Sequence, residues 1–212
     1  MVKAMNTYVI LIRGINVGGK NLVPMAALKL YLEEEGFTDV TTYIQSGNVI
    51  LRSDLGVARS GQRIEAMLLR KFTLDSPVIK VLVLTRTQLQ AVIDNRPEGF
   101  GEHPETYHSD AVFLMGIDST QAMAAFNPRE GVDNIWPGAG VIYSQRLSAL
   151  RTRSRLSSIT GTPAYKSMTI RNWNTTTRLL KMVEEVEDRD VLIGQGGRVR
   201  GQPEPDHPGF EP

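Results

Sequence analysis

Residues 40–51 read VTTYIQSGNVIL. Val40 to Gln45 and Asn48 to Leu51 are two strand-like runs, and Ser46-Gly47 between them is a two-residue hairpin signal in which glycine supplies a positive φ. A hairpin makes its strands antiparallel neighbours, which constrains everything around it. Upstream, Tyr8 to Ile12 is a continuous Tyr-Val-Ile-Leu-Ile run of the kind buried on both faces of a sheet. Pro24 opens a helix with Met25, Leu28 and Leu32 on one face, and Gly36 is placed to stop it. Downstream, Ser60 is placed to cap a second helix carrying Ile64, Met67 and Leu68, and Val78 to Leu84 is a further apolar strand. The order is β-α-β-β-α-β, the ferredoxin-like split βαβ unit.

The order repeats downstream. Ala111 to Met115 reads as a strand and Ser119 to Phe126 as a short helix. Asn134 to Trp136 and Val141 to Ser144 frame a Pro-Gly-Ala-Gly turn, Leu147 to Ile159 is helical in part, and Met168 to Arg171 is a short strand. A last helix starts near Asn174 or Thr175 and carries Leu179, Val183 and Val186. The expected fold is α+β, two ferredoxin-like βαββαβ halves with antiparallel sheets. The first half spans 1–87 and the second 88–187, joined by a helix around Leu89 to Ile93 and a polar loop, Arg96 to Ser109. From Asp188 the composition turns to Gly, Pro and charge, ending GQPEPDHPGFEP, so 188–212 is expected to be a disordered tail.

The 212 residues are 41% hydrophobic and 22% charged, ordinary for a globular protein, and contain no cysteine. Disulfides, thiolate metal sites and cysteine nucleophiles are thereby excluded, and a reducing, cytoplasmic compartment fits. No apolar run reaches the ~20 residues of a membrane span, so no membrane partner is expected. The net charge of +1 conceals an asymmetry. No acidic residue occurs from Met1 to Leu32 or from Asn134 to Val183, and the second stretch holds Arg146, Arg151, Arg153, Arg155, Lys166, Arg171, Arg178 and Lys181. Either these are solvated helix faces or they form a local positive field that attracts an anion.

Three motifs stand out. Arg13-Gly14-Ile15-Asn16-Val17-Gly18-Gly19-Lys20-Asn21 joins a buried strand to a helix. Glycines let backbone N–H groups turn toward one point, and Arg13 and Lys20 suit a phosphate or carboxylate. The run nearly spells the P-loop G-x4-G-K-[S/T], but Asn21 stands where the magnesium-binding hydroxyl belongs, and the hairpin that follows breaks P-loop topology. Tyr43-Ile44-Gln45-Ser46-Gly47-Asn48 is a turn that also offers donors and acceptors at a sheet edge. Arg171-Asn172-Trp173-Asn174 ends a strand at the start of a helix, where Arg171 would meet an anion. Trp173 either stacks on a base or plugs the core.

These three motifs, in this order, resemble the bacterial family called domain of unknown function 1697, over roughly Asn6 to Glu187. The resemblance implies a duplicated ferredoxin-like α+β fold and no established activity. It carries over Arg13, Gly14, Asn16, Gly18, Gly19, Asn21, Ser46, Gly47, Asn48, Arg171, Asn172, Trp173 and Asn174. This chain has Arg155 and Arg178 where the pattern commonly has lysine, which keeps the charge.

Other chemistries find little support. His103 and His108 lie near Glu102, Glu105 and Asp110, but in a stretch read as a loop without strand or helix anchors, so no metal site is expected. No histidine is read as close to a motif, and no carboxylate pair lies within one, which argues against Ser-His-Asp and glycosidase-type catalysis. No cofactor is expected. The reading is a binding protein for an anionic ligand, a nucleotide or nucleic acid. Arg13, Lys20 and Arg171 would meet phosphate, Asn16, Asn48, Asn172 and Asn174 would read polar edges, and Trp173 would stack. One alternative is an enzyme acting on a small phosphorylated or carboxylated metabolite through the same residues. Another is a structural module in which the asparagines satisfy backbone groups between the halves. The single-site reading requires Arg13, Asn48 and Arg171 to lie close together.

Overall fold

The structure, a computed structural model, describes residues 5–75 and 79–196, with side chains as far as residue 189. The first half runs β1 (Asn6–Arg13), α1 (Met25–Glu34), β2 (Thr38–Tyr43), β3 (Asn48–Ser53), α2 (Val57–Lys71) and β4 (Lys80–Thr85). The second opens with α3 (Arg86–Asp94), then β5 (Tyr107–Leu114), α4 (Ser119–Met123), β6 (Asp133–Gly138) and β7 (Val141–Leu147). Three 3-10 segments follow, Ser148–Arg153, Leu156–Gly161 and Pro163–Ser167, before β8 (Met168–Asn172) and α5 (Trp173–Gly196).

The strands form two four-stranded antiparallel sheets, ordered β2-β3-β1-β4 and β6-β7-β5-β8. The second order is the first advanced by four strands, so the duplication extends from element order to sheet topology. This is the expected duplicated ferredoxin-like α+β fold.

The strand period of two decides where each side chain goes. Along β1, Tyr8, Ile10 and Ile12 pack with Leu28 and Leu32 of α1 and with Ile64, Met67 and Leu68 of α2. The alternate residues, Val9 and Leu11, face the other way. There they join Phe113 and Tyr143 of the second sheet, together with Leu89 of α3 and Leu179 and Val183 of α5. The two sheets therefore share one central core, with α3 and α5 packed into it. Burying a side chain such as Leu11 stabilises the fold by about 1.5–3 kcal/mol relative to exposure. The second sheet's outer face is covered by α4 and the 3-10 segments through Ala122, Leu156 and Ile159.

Several boundaries differ from expectation. The hairpin pairs Tyr43 with Asn48, so its turn is the four residues Ile44 to Gly47, with positive φ at Ile44 and Gly47. α2 begins at Val57 behind Gly56, and Ser60 lies inside it, donating to the Leu55 carbonyl at 3.5 Å. α5 begins at Trp173, and its cap is Asn172, whose Oδ1 accepts from the Asn174 N–H at 3.0 Å. Asn174 and Thr175 are inside the helix because that side-chain bond already satisfies its first turn. The helix expected within 147–159 is two 3-10 segments. α5 continues to Gly196, so 188–196, expected in the tail, are helical. Val78 and residues 197–212 lie outside the described residues.

Candidate functional site

β1 ends at Arg13, and the chain leaves the sheet through Gly14, at φ 89. Asn16 and Asn21 adopt φ values of 54 and 49, a left-handed conformation that asparagine tolerates better than other side-chain-bearing residues. Both asparagines staple the loop. The Asn16 amide accepts from the Val23 N–H (2.8 Å) and donates to the Val23 carbonyl (2.9 Å) and the Gln45 carbonyl (2.9 Å), tying the loop to the hairpin. Asn21 donates from its side chain to the Gly14 carbonyl (2.6 Å) and from its N–H to Asp75 (2.7 Å). Both side chains thus bond to the chain's own backbone groups. Gly18, Gly19 and Lys20 form an exposed tip. Gly47 is crowded: a Cβ there would lie 2.9 Å from Ile15 Cδ1 and 3.0 Å from the Ile12 carbonyl oxygen.

The third motif reaches this place through Arg171. On β8, Thr169, Arg171 and then Trp173 alternate toward the first half, and the Arg171 guanidinium crosses the seam. Its Nε donates to Asn48 Oδ1 (2.5 Å), Nη1 to Thr169 Oγ1 (2.9 Å) and the Ile170 carbonyl (2.8 Å), and Nη2 to the Ile12 carbonyl (2.9 Å). Asn48, fully buried, is held in turn by donating to the Tyr43 carbonyl (3.2 Å) and Ser46 Oγ (2.8 Å). Every acceptor of Arg171 is neutral. Burial pulls its pKa down to about 10, so the group stays charged at neutral pH with no carboxylate beside it.

Arg13 completes the arrangement. Its Nε donates to the Met168 carbonyl (2.9 Å), and its guanidinium carbon sits 5.1 Å from the centre of the Tyr165 ring. Among the described residues its two terminal nitrogens have no acceptor. Arg13 and Arg171 line a cavity of about 270 Å³ at the seam, with Asn16, Ser46, Tyr165 and Thr169 among its other walls. Lys80, the register partner of Arg13, donates to Ser167 at 3.3 Å. Among the described residues none of Arg13, Lys20, Lys80 and Arg171 pairs with a carboxylate. Apart from Ser46, the cavity's walls come from the two acid-free stretches of sequence.

The candidate residues thus divide. Arg13, Gly14, Asn16, Ser46 and Arg171 line the seam cavity, with Asn48 behind Arg171 and Gly47 at the turn beside it. Gly18, Gly19, Lys20 and Asn21 belong to the same loop but do not line it. Asn172, Trp173 and Asn174 line a different cavity, of about 120 Å³, with Gly101, Tyr107 and His108. Trp173 is a core residue: it is 6% exposed, and its ring centre lies 5.0 Å from Phe100 and 6.4 Å from Tyr143. Its indole fills the space against Gly101, where a Cβ would come within 2.1 Å of Trp173 Cδ1. Of the two readings of Trp173, this packing is that of the core plug. Asn172, besides capping α5, donates to the Ser109 carbonyl (3.3 Å).

Two expectations about histidine are corrected. His108 lies on β5, not in a loop, and beside a motif, on the wall it shares with Asn172 to Asn174. Its Nε2 is 3.1 Å from Asp110 Oδ1, and Arg146 Nη1 is 4.0 Å from Asp110 Oδ2. Burial pushes the Asp110 carboxyl up, against the opposing pull of His108 and Arg146. The i, i+2 spacing of His108 and Asp110 on a strand was the available signal. Tyr165 carried no signal at all. Among the described residues no three of His, Asp and Glu gather closely enough to hold a metal ion, and no helix is long and apolar enough to cross a membrane.

Comparison with known proteins agrees with the motifs. A family model described as "Protein of unknown function (DUF1697)" matches residues 5–143, which include the first two motifs and stop before the third. Among solved structures, the conserved bacterial protein SP0830 from Streptococcus pneumoniae is similar, with 25% sequence identity and a TM-score of 0.68. That similarity covers 85% of this chain and 99% of that one. No curated protein matches this chain.

Proposed function

This chain belongs to the DUF1697 family, and from that premise we propose that it binds a small anion in the cavity at the seam between its halves. The observation that carries the reading is Arg13. Its Nε is fixed by a carbonyl and its face by the Tyr165 ring, while the terminal nitrogens that would grip a phosphate or carboxylate bidentately have no partner among the described residues. Arg171 supplies mainly field, because four of its five N–H donors are engaged within the protein. An anion about 6 Å from that guanidinium gains about 3 kcal/mol at an effective dielectric constant of about 20, against less than about 1 kcal/mol in water. The apparent gain comes from a charge whose desolvation the fold has already met.

Of a nucleotide, the phosphate fits this description. The nucleic-acid form is weaker, since the expected stacking residue, Trp173, is in the core. Binding is favoured over catalysis because, among the described residues, no histidine or carboxylate lines the seam cavity to serve as a general base near neutral pH. The structural reading has its own support: Arg171 bonds to Asn48 and Ile12 across the seam, so it clamps the halves whether or not a ligand is bound.

The test is a thermal-shift screen of phosphorylated and carboxylated small molecules on the full chain and on Arg13→Gln. A true ligand at 100 times its Kd stabilises by about 2.7 kcal/mol, which raises the Tm by roughly 5–10 °C. Arg13→Gln is expected to abolish that rise while keeping an unliganded Tm near that of the parent. No rise with any anion, or a rise that survives in Arg13→Gln, overturns the reading.

A further inference from the structure

The walls of the seam cavity are of two kinds, and that division says what the rest of the ligand is. Resting on the anion reading above, we propose that the ligand is amphiphilic: a single phosphate monoester or carboxylate carried on a compact apolar or flat aromatic body, and not a polyanion. Among the described residues, Arg13 and Arg171 are the cavity's only charged walls. Around them stand Ile15, Val17, Tyr165, Met168 and Ile170.

Ile15 and Met168 are almost fully buried, so they close the cavity from within. Val17, by contrast, is 65% exposed on the loop that forms one wall, a large aliphatic side chain held in water with nothing packed over it. Tyr165 presents a ring already bearing Arg13 against it. A hydrated inorganic anion would meet the two guanidinium groups and leave these surfaces wet. A ligand with an apolar body covers them as well, and removing that area from water is favourable in proportion to the area. The volume, about 270 Å³, lies just under the about 300–1,000 Å³ usual for drug-sized ligands, which limits the body to one ring or a short chain. A polynucleotide needs an extended basic groove with stacking platforms, and the one residue expected to stack is buried.

The experiment is calorimetric titration of the full chain with two matched pairs, phenyl phosphate against inorganic phosphate and benzoate against acetate, and with a short single-stranded oligonucleotide. The expected result is that the aromatic member of at least one pair binds about tenfold or more tightly than its small counterpart. Val17→Ser, at an exposed position, is expected to narrow that ratio by about threefold, leaving inorganic phosphate unchanged. Tyr165→Ala is expected to narrow it further. Arg13→Gln is expected to remove binding of both members.

If both members of each pair bind equally and Arg13→Gln abolishes binding, the amphiphilic inference fails and the anion site stands. An oligonucleotide that binds more tightly than phenyl phosphate, with affinity falling steeply as salt rises, also overturns the inference. If none of the five probes binds, the anion reading fails and takes this inference with it.

Discussion

In the first half, the outer face of the sheet lies under two full helices, α1 and α2, which bring Leu28, Leu32, Ile64 and Leu68 onto it. In the second half, the equivalent face lies under the five-residue α4 and three 3-10 segments, and Leu156 and Ile159 do the covering. The strand order is the same in both. Strand order therefore follows from strand pairing, while the outer layer needs only apolar side chains delivered to the right places, by a helix or by irregular turns. The irregular layer has two consequences. Its backbone needs other partners: Asp133 Oδ2 accepts from the N–H groups of Arg129 (2.9 Å) and Arg155 (2.8 Å), tying β6 to the 3-10 segments. It also ends in Pro163–Ser167, which carries Tyr165 to Arg13 of the other half. A regular helix in that place would have no reason to deliver a ring to the seam.

The comparison is tested most severely at the seam itself. Arg171→Ala removes four hydrogen bonds made by a buried cation and leaves Asn48 Oδ1 and the Ile12 carbonyl without that donor. The expected loss is about 3 kcal/mol or more, a fall in Tm of roughly 6–12 °C. Because the halves share the central core, calorimetry should still show one transition. Two separated transitions would mean that the halves are independent units that merely touch.

The next largest effect separates two glycines of the motifs. Gly47→Ala pushes a Cβ into Ile15 and the Ile12 carbonyl at a positive φ, and is expected to cost about 2–4 kcal/mol in chemical denaturation. Gly18→Ala meets nothing within 4 Å and pays only the backbone penalty, about 1 kcal/mol. Equal costs would show that the hairpin does not pack on the end of β1 as described.

Two aspartates of the second half titrate in opposite senses. Burial alone would raise Asp133, but hydrogen bonds from Ser154 and from the Arg129 and Arg155 N–H groups, with Arg146 nearby, hold it below the usual carboxylate range. Its contribution to stability is therefore present above the unfolded-state pKa and lost as pH falls through the folded one. Asp110 is raised by burial, so its contribution is present below the unfolded-state pKa and lost as pH rises through the folded one. In denaturation profiles between about pH 3 and 7, the advantage of the parent over Asp133→Asn should shrink toward acid. For Asp110→Asn, the parent's relative stability should fall as pH rises. Parallel profiles would contradict both environments.

The smallest expected effect is a gain. Ile44 holds a φ of 48 although it is β-branched, and it is 51% exposed, so little packing repays the strain. Ile44→Asn is expected to raise stability by about 0.5 kcal/mol, a Tm increase of roughly 1–2 °C. A fall would mean that this side chain packs against the hairpin more than its exposure indicates.

Much of the fold was legible in the chain. The Tyr8 to Ile12 run, the hairpin and the helix faces are patterns of period two or near 3.6, and such patterns survive into structure because burial acts on every repeat. The boundaries were less legible where a side chain outside the element decides them. Asn172 caps α5 from the preceding strand, and Gly56, not Ser60, precedes α2. Trp173 could be read as a base platform or as core, and only its neighbours Phe100, Tyr143 and Gly101, distant in sequence, settle that it is core.

The sequence by itself determined the strands, the duplication and the two acid-free stretches, since these depend on residue type and local spacing alone. Only the tertiary structure decided that Arg13 and Arg171, separated by most of the chain, meet at one cavity while Asn172 and Trp173 turn away from it. The physical reason is where β8 ends: Arg171, still on the strand, reaches across the seam to Ile12 and Asn48, whereas Asn172 faces the other side of the strand and Trp173, the first residue of α5, packs against Phe100 and Tyr143.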